Sequence, residues 1–182
     1  MKPKFRIDDN LRYVPLDSKK LALHVENLEN KLHTTADVES RVQLLGEIAT
    51  YLKSLGELDR AENLLMTALD TIEENQLGIQ SEIQQKIRLG DVYFYKKAYQ
   101  LANRIFQEIL NTCQNDLDAY VYLDFAHQHA GKNYFEQGEY NQALEHFKKA
   151  LELRKARQAS QEQIDSSSTA INTTLAKLNS NR

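Results

Sequence analysis

An interval of 41 residues recurs along the chain and constrains its fold more than any other feature. Ala61, Ala102 and Ala143 are separated by this interval. Matching residue types lie on either side of them, such as Phe106 and Phe147, which are again 41 residues apart. Two equal intervals with matching surroundings indicate an internal repeat, in which each copy is one unit that buries its apolar face against its neighbours.

The last copy, residues 131–151 (GKNYFEQGEYNQALEHFKKAL), shows the pattern most clearly. Gly131 and Ala143 are small where two helix backbones would approach each other, and Phe147 would fill the space around that approach. Gly138 lies between the two halves of the copy and can adopt the left-handed conformation that ends a helix. The copy therefore predicts a helix, a turn and a second helix.

These residues resemble the tetratricopeptide repeat family, whose helix pairs carry small and aromatic residues at fixed positions. Five family positions are matched in the last copy, by Gly131, Tyr134, Ala143, Phe147 and Ala150. The common form of the repeat has about 34 residues, whereas the period here is 41. The longer period resembles the subtype seen in kinesin light chains and in bacterial peptide-responsive regulators. Lys97 departs from the pattern, because the other copies have Gly at its position.

The resemblance implies an all-α fold, a right-handed superhelix of three helix pairs with a capping helix at each end. Both prolines lie before residue 16, and the near absence of helix breakers beyond it agrees with almost continuous helix. The predicted segments are an extended arm at 1–16, an N-terminal capping helix at 17–37, repeats at 38–78, 79–116 and 117–159, and a C-terminal solvating helix and tail at 160–182.

The arm at 1–16 has two interpretations. It carries both prolines together with apolar residues such as Phe5, Ile7 and Leu11. In the first interpretation it is a partly disordered terminus. In the second, its apolar residues lie against the superhelix, either in the groove of the same chain or in that of a neighbouring chain.

The family resemblance also implies where a partner would bind, because the first helix of each pair lines the inner face of the superhelix. We hypothesise that this groove grips a partner peptide through aromatic and charged side chains. The family positions that face the groove are occupied here by Lys53, Arg88, Asp91, Phe94, Tyr95, Phe125, His129, Lys132 and Phe135. An alternative is that the lengthened helices bury Phe94 and Phe135 in the core. Alanine at these two positions would leave the melting temperature nearly unchanged only if they line the groove.

No pattern in the sequence points to catalysis, a cofactor or a metal ion. His127 and His129 project to different sides of a helix and cannot share a metal. The other histidines, His24, His33 and His146, have no carboxylate or Cys at ligand spacing. Phosphate loops, nucleophile elbows and paired Cys motifs are absent from the sequence. We therefore predict a non-enzymatic protein without a cofactor.

Charge and composition exclude further classes of partner. The 23 basic and 26 acidic residues give a net charge of -3, which argues against nucleic acid as the main partner. The basic run that contains Lys148 and Arg154 is expected on a solvated face. The single cysteine, Cys113, is expected to be a buried, inert thiol. The sequence has no apolar run of membrane-spanning or signal length, so no membrane contact and a cytoplasmic location are expected.

The leading interpretation is a cytoplasmic module that binds a protein or peptide partner in its groove. Two alternatives stay open. One is a regulatory domain that changes conformation when it binds a signalling peptide, and the other is a secretion-type chaperone. Self-association as a homo-oligomer is also left open, because the exposed edge of a short helical array can pair with a second copy.

Overall fold

The structure is a computed structural model that describes residues 3–180. Within this range lie eight α-helices: α1 (Ser18–Thr34), α2 (Val38–Leu55), α3 (Leu58–Asn75), α4 (Ile79–Tyr95), α5 (Tyr99–Asn115), α6 (Leu123–Glu136), α7 (Tyr140–Ala156) and α8 (Gln161–Ser180). Two short strands, β1 (Phe5–Ile7) and β2 (Tyr13–Pro15), precede them. The prediction of an all-α chain of paired helices is confirmed, and a small hairpin is added to it. Residues 1–2 of the predicted arm and 181–182 of the predicted tail lie outside the described residues.

Two aspartates fix where the first helices begin. The Asp17 side chain accepts a hydrogen bond from the Lys20 backbone nitrogen at 3.0 Å, and α1 begins directly after it. The Asp37 side chain accepts one from the Ser40 backbone nitrogen at 2.8 Å ahead of α2. Each bond satisfies a backbone donor that the first helical turn leaves without an intrahelical partner.

Left-handed backbone joins the two helices of each predicted pair. Gly56 after α2 has a φ of 84° and Gly138 after α6 has a φ of 79°. Lys97, which replaces Gly after α4, has a φ of 60°. A side chain in this conformation costs roughly 1–2 kcal/mol. The turn after α4 therefore keeps the left-handed conformation although it lacks glycine.

The third predicted pair begins later than the sequence indicates. A helix is predicted from about residue 117, whereas α6 begins at Leu123 and is preceded by a 3-10 turn at Tyr120–Tyr122. The Asp116 side chain accepts hydrogen bonds from the backbone nitrogens of Asp118, at 2.8 Å, and Ala119, at 3.1 Å. This local turn competes with helical hydrogen bonding and delays the helix.

The contacts divide the chain into two compact units. The first contains residues up to Asp8 and Arg12–Lys97, and the second contains Asp9–Leu11 and the residues from Ala98 onwards. In the first unit, α2 packs against α1, α3 and α4. In the second, α6 packs against α5, α7 and α8. The division falls inside the predicted repeat 79–116, and the predicted repeat boundaries stay a prediction.

The small residues of the 41-residue pattern lie in the cores of the two units. Ala61, Ala102 and Ala143 are all fully buried. At Gly131 on α6, a β-carbon would lie 2.6 Å from the Phe147 ring of α7. A residue without a side chain therefore allows α6 and α7 to approach each other this closely.

Helix α8 buries small residues more deeply than the apolar residues of its predicted stripe. The sequence places Ile164, Ile171, Leu175 and Leu178 on one apolar stripe. The residues of α8 that are buried are instead Ser167, Ala170 and Thr174. Leu175 is exposed. Small polar side chains fit here because their hydroxyl groups make hydrogen bonds inside the unit, as Ser167 does with Gln128 at 2.7 Å.

Candidate peptide-binding face

Five of the nine predicted site residues belong to the first unit. Lys53 lies near the end of α2, and the other four lie along α4 at Arg88, Asp91, Phe94 and Tyr95. Since α2 packs against α4, Lys53 comes within reach of the last turns of α4. We call the surface formed by Tyr51, Lys53, Asp91, Phe94 and Tyr95 the α2–α4 face.

A buried ion pair joins the two helices of this face. Lys53 Nζ bonds the Asp91 carboxylate, and each residue is only 6% exposed. The same Nζ lies 4.7 Å from the centre of the Tyr95 ring. Burial, followed by the negative charge of Asp91, raises the pKa of Tyr95 above its usual range. The hydroxyl of Tyr95 is therefore protonated at neutral pH and serves as a neutral hydrogen-bonding group.

The hairpin of β1 and β2 lies against this face. The Arg12 guanidinium carbon is 5.0 Å from the centre of the Phe94 ring and 4.8 Å from that of Tyr95. The backbone nitrogen of Tyr13 donates a hydrogen bond to the Tyr95 hydroxyl at 2.9 Å. Of the two interpretations of the arm, residues 3–16 therefore follow the second, with contacts to helices of the same chain.

The other strand of the hairpin contacts α2. The Phe5 ring stacks on Tyr51 at a centroid distance of 6.3 Å and an interplanar angle of 4°. The strands pair antiparallel, with Arg6 opposite Val14. The hairpin therefore presents the side chains of Phe5 and Arg12 and the backbone of Tyr13 to the α2–α4 face.

Arg88 and Phe94 are placed differently from the groove hypothesis. The Arg88 guanidinium donates to the Gln85 side chain at 2.9 Å on its own helix. Phe94 is 1% exposed and lies at right angles to Tyr95, with an interplanar angle of 80°. Phe94 is a core residue in this structure, as the alternative interpretation held. The expectation that its removal leaves the melting temperature unchanged is corrected, because truncation of a buried Phe costs about 3–5 kcal/mol.

The remaining four predicted site residues belong to the second unit and do not form one open surface there. Phe125 lies under Arg154, whose guanidinium carbon is 5.7 Å from the ring centre. His129 stacks on Phe106 at 6.0 Å. Two of the four are buried: Lys132, at 5% exposure, and Phe135, at 3%.

Phe135 belongs to the hydrophobic core of the second unit. Its cluster includes Leu11, Ala143 and Phe147. The ring also meets Tyr140 edge to face at 5.3 Å. As for Phe94, the expectation that alanine here leaves the melting temperature unchanged is corrected, because the side chain is packed on all sides.

Comparison with known families agrees with this architecture. Residues 83–156 match the family model of the tetratricopeptide repeat. The matched part runs from within α4 to the end of α7 and supports the tetratricopeptide repeat family. Repeats of this family are generally non-enzymatic and bind other proteins. No curated protein matches the chain. The long-period subtype stays a prediction.

Within the matched residues 83–156, α6 and α7 bring together a histidine pair that the sequence did not reveal. The Nδ1 atoms of His127 and His146 are 3.0 Å apart. Tyr134 stacks on His146 at 5.4 Å. Burial, and next the neighbouring His146, lower the pKa of His127 from 6.5 to about 4. Burial also lowers the pKa of His146. The two residues occupy facing positions on the first and second helix of one copy, which is the sequence signal that could have found them.

A second feature missed by sequence reasoning is the buried Arg154. It was expected on a solvated face with its basic neighbours, and it is 4% exposed. Its Nε bonds the buried Asp124 carboxylate at 2.8 Å, and Nη1 donates to Ser167 at 2.8 Å. Arg154 therefore connects α7 to both α6 and α8. Its distance of four residues from Ala150, a core position of the same helix, was the available signal.

Other chemistry is limited in the part of the chain that the structure describes. Cys113 is buried, and burial raises the pKa of its thiol to about 11, so the reactive thiolate is scarce at neutral pH. Over residues 3–180, no three His, Cys, Asp or Glu side chains are close enough together to hold a metal ion. None of the helices in this range is long and apolar enough to cross a membrane.

Proposed function

We propose that the chain is a non-catalytic interaction module that binds an extended segment of a partner protein on the α2–α4 face. The observation that carries this proposal is the hydrogen bond from the Tyr13 backbone to the Tyr95 hydroxyl at 2.9 Å. It shows that extended backbone can approach the end of α4 closely enough to be bound through its main chain. Main-chain bonds supply affinity whereas side-chain contacts supply specificity.

The composition of the α2–α4 face supports a protein ligand. Tyr51 and Tyr95 are half-buried and rigid, and each contacts a side chain or backbone of the hairpin. Tyrosines of this kind provide a large contact area at a low cost in side-chain entropy. Lys53 and Asp91 neutralise each other, so the face has no strong net charge of either sign.

Peptide selection on the intact chain tests the proposal. A library of displayed peptides of about a dozen residues is selected on the wild-type chain, and the affinities of the selected peptides are measured by fluorescence anisotropy. Tyr51→Ala truncates a half-buried residue of the α2–α4 face. Tyr120→Ala is the matched control, because Tyr120 is 51% exposed and lies outside this face.

We expect Tyr51→Ala to weaken the selected peptides about tenfold, as truncation of an aromatic contact residue does. Tyr120→Ala should leave their affinity unchanged. If both variants bind the peptides as wild type does, or if no peptide is selected, the α2–α4 face is not a binding site for extended segments.

A further inference from the structure

Phe94 and Tyr95 hold an arginine of the chain's own hairpin. The Arg12 guanidinium lies within 5.0 Å of both ring centres. A planar, weakly hydrated guanidinium stacks on aromatic rings better than a lysine ammonium does. We propose that this ring pair is an arginine-binding pocket, and that a partner segment carrying an arginine binds there by displacing the hairpin. The inference rests on the proposed function and specifies that the bound segment contains an arginine.

The residue after the arginine is recognised through its backbone. Tyr13 follows Arg12, and its amide donates to the Tyr95 hydroxyl. The same tyrosine therefore contacts the arginine side chain through its ring and the next peptide unit through its oxygen. A ligand with proline after its arginine lacks this amide hydrogen and cannot make the bond. The pocket thus selects an arginine followed by any residue except proline.

An aromatic contact lies on the neighbouring helix. Phe5 of β1 stacks on Tyr51 and meets the Tyr13 ring edge to face at 6.4 Å, while its strand partner is Pro15. Offset aromatic pairs contribute about 0.5–1.5 kcal/mol beyond the area they bury. A single extended segment with an arginine therefore reproduces the contact of Arg12, and the Phe5 contact on the other strand is one that it has to displace.

The hairpin can be displaced only by a ligand whose contacts outweigh its own, which include the burial of Leu11 in its turn, at 3% exposure. Each strand has only three residues. Asp8 closes the turn, because its side chain accepts a hydrogen bond from the backbone nitrogen of Arg12 at 2.8 Å. An isolated two-stranded hairpin is marginally stable in water, so its order depends on docking to the helices. A tethered segment competes at an effective concentration on the order of millimolar. The hairpin therefore excludes weak ligands and yields to a ligand that binds more tightly.

The test uses the full chain and a peptide of its own residues 3–17 (PKFRIDDNLRYVPLD) as the probe. The chain variant Arg12→Ala removes the arginine that occupies the pocket. Arg6→Ala is the matched control, because Arg6 lies on the same hairpin and is exposed. Binding of the labelled peptide is measured by fluorescence anisotropy, and circular dichroism confirms that each variant is folded.

We expect the peptide to bind the Arg12→Ala chain at least about tenfold more tightly than it binds the wild-type or Arg6→Ala chain, since the tethered competitor is weakened. Peptides with Arg12→Ala or Tyr13→Pro should lose about tenfold in affinity for the opened chain. Hydrogen exchange at the Tyr13 amide reports whether the hairpin has left the face. If this amide is still protected in the Arg12→Ala chain, Phe5→Ala is added to open the face fully.

Three results would overturn the inference. The first is equal affinity of the opened chain for the peptide with and without its arginine. The second is equal affinity of the opened and wild-type chains for the unmodified peptide. The third is a concentration-dependent dimer of the wild-type chain that Arg12→Ala abolishes, because the pocket would then be filled by a second copy.

Failure of the arginine pocket can be distinguished from failure of the proposed function. Selected peptides that depend on Tyr51 but contain no arginine, and that do not compete with the probe, would refute the arginine pocket and leave the proposed interaction module supported. If the probe binds the opened chain but the library yields no peptide, the α2–α4 face binds only the chain's own hairpin.

Discussion

The hydroxyl oxygen of Tyr95 lies 2.9 Å from the backbone nitrogen of Tyr13, although the two residues are 82 positions apart in the sequence. This bond fixes β2 to the end of α4, and it does so through the main chain of the strand. It is also the contact whose removal is easiest to interpret, because replacing tyrosine with phenylalanine keeps the ring and removes the oxygen alone.

We predict that Tyr95→Phe loosens the hairpin without unfolding the helices. The net contribution of one such hydrogen bond is about 0.5–1.5 kcal/mol. The exchange rate of the Tyr13 amide should therefore rise by about threefold to tenfold, as measured by hydrogen exchange with nuclear magnetic resonance. Tyr93→Phe is the matched control, because the Tyr93 hydroxyl bonds Glu62 at 2.9 Å instead. Equal exchange rates in Tyr95→Phe and wild type would show that the hairpin is held by other contacts.

The histidine pair of α6 and α7 makes the stability dependent on pH. Burial and then His146 lower the pKa of His127 from 6.5 to about 4, with a further contribution from Lys149 that Asp124 opposes. Burial lowers the pKa of His146, and the negative charge of Glu145 opposes this by raising it. The folded chain thus keeps both rings neutral in a range where the unfolded chain binds protons. The stabilisation is complete above pH 6.5 and is lost as the pH falls towards 4.

We therefore predict that the free energy of unfolding falls between pH 6.5 and 4 less steeply in His127→Gln than in wild type. Urea unfolding at several pH values measures it. His33→Gln is the control, because His33 is exposed and should leave the slope unchanged. Parallel profiles for wild type and His127→Gln would contradict the prediction.

Arg154→Ala should destabilise the chain strongly. It removes the buried arginine from the Asp124 carboxylate, which is 2% exposed and keeps the exposed Arg157 at 3.0 Å. Removing one partner of a buried ion pair costs about 3–5 kcal/mol, and Arg157 offsets part of that cost. Lys155→Ala changes an exposed cation of the same run and should alter stability by no more than about 0.5 kcal/mol. Urea midpoints compare the two, and similar midpoints would mean that Arg154 is solvated after all.

Gly131→Ala should also destabilise the chain, although alanine favours helix. The added carbon would lie 2.6 Å from the Phe147 ring, which is fully buried and cannot move away freely. Overpacking of this kind costs about 1–3 kcal/mol. Phe147→Leu makes room for the added methyl group. The double variant should therefore be more stable than the sum of the two single changes predicts, as a double-mutant cycle would show. Strict additivity would indicate that α6 and α7 separate easily.

Local patterns in the sequence were sufficient for the helices and their turns. The positions of Ala61, Ala102 and Ala143 predicted three core positions, and all three are buried. The sequence leaves Asp17 and Ser18 as alternative caps for the first helix, and Asp17 makes the capping bond. Such features depend on residues a few positions apart, which the periodicity of a helix places on one face. The start of α6 was predicted too early, because the Asp116 turn is a side-chain effect that periodicity does not report.

The sequence by itself determined a chain of paired helices with small residues where the helices meet. Only the tertiary structure decided that Lys53 and Arg154 are buried, that His127 faces His146, and that Arg12 lies on the rings of Phe94 and Tyr95. A charged or polar side chain gives the same sequence pattern whether it is exposed to water or buried against an interacting side chain. Which of these occurs depends on segments far apart in the chain, and those segments meet only after folding.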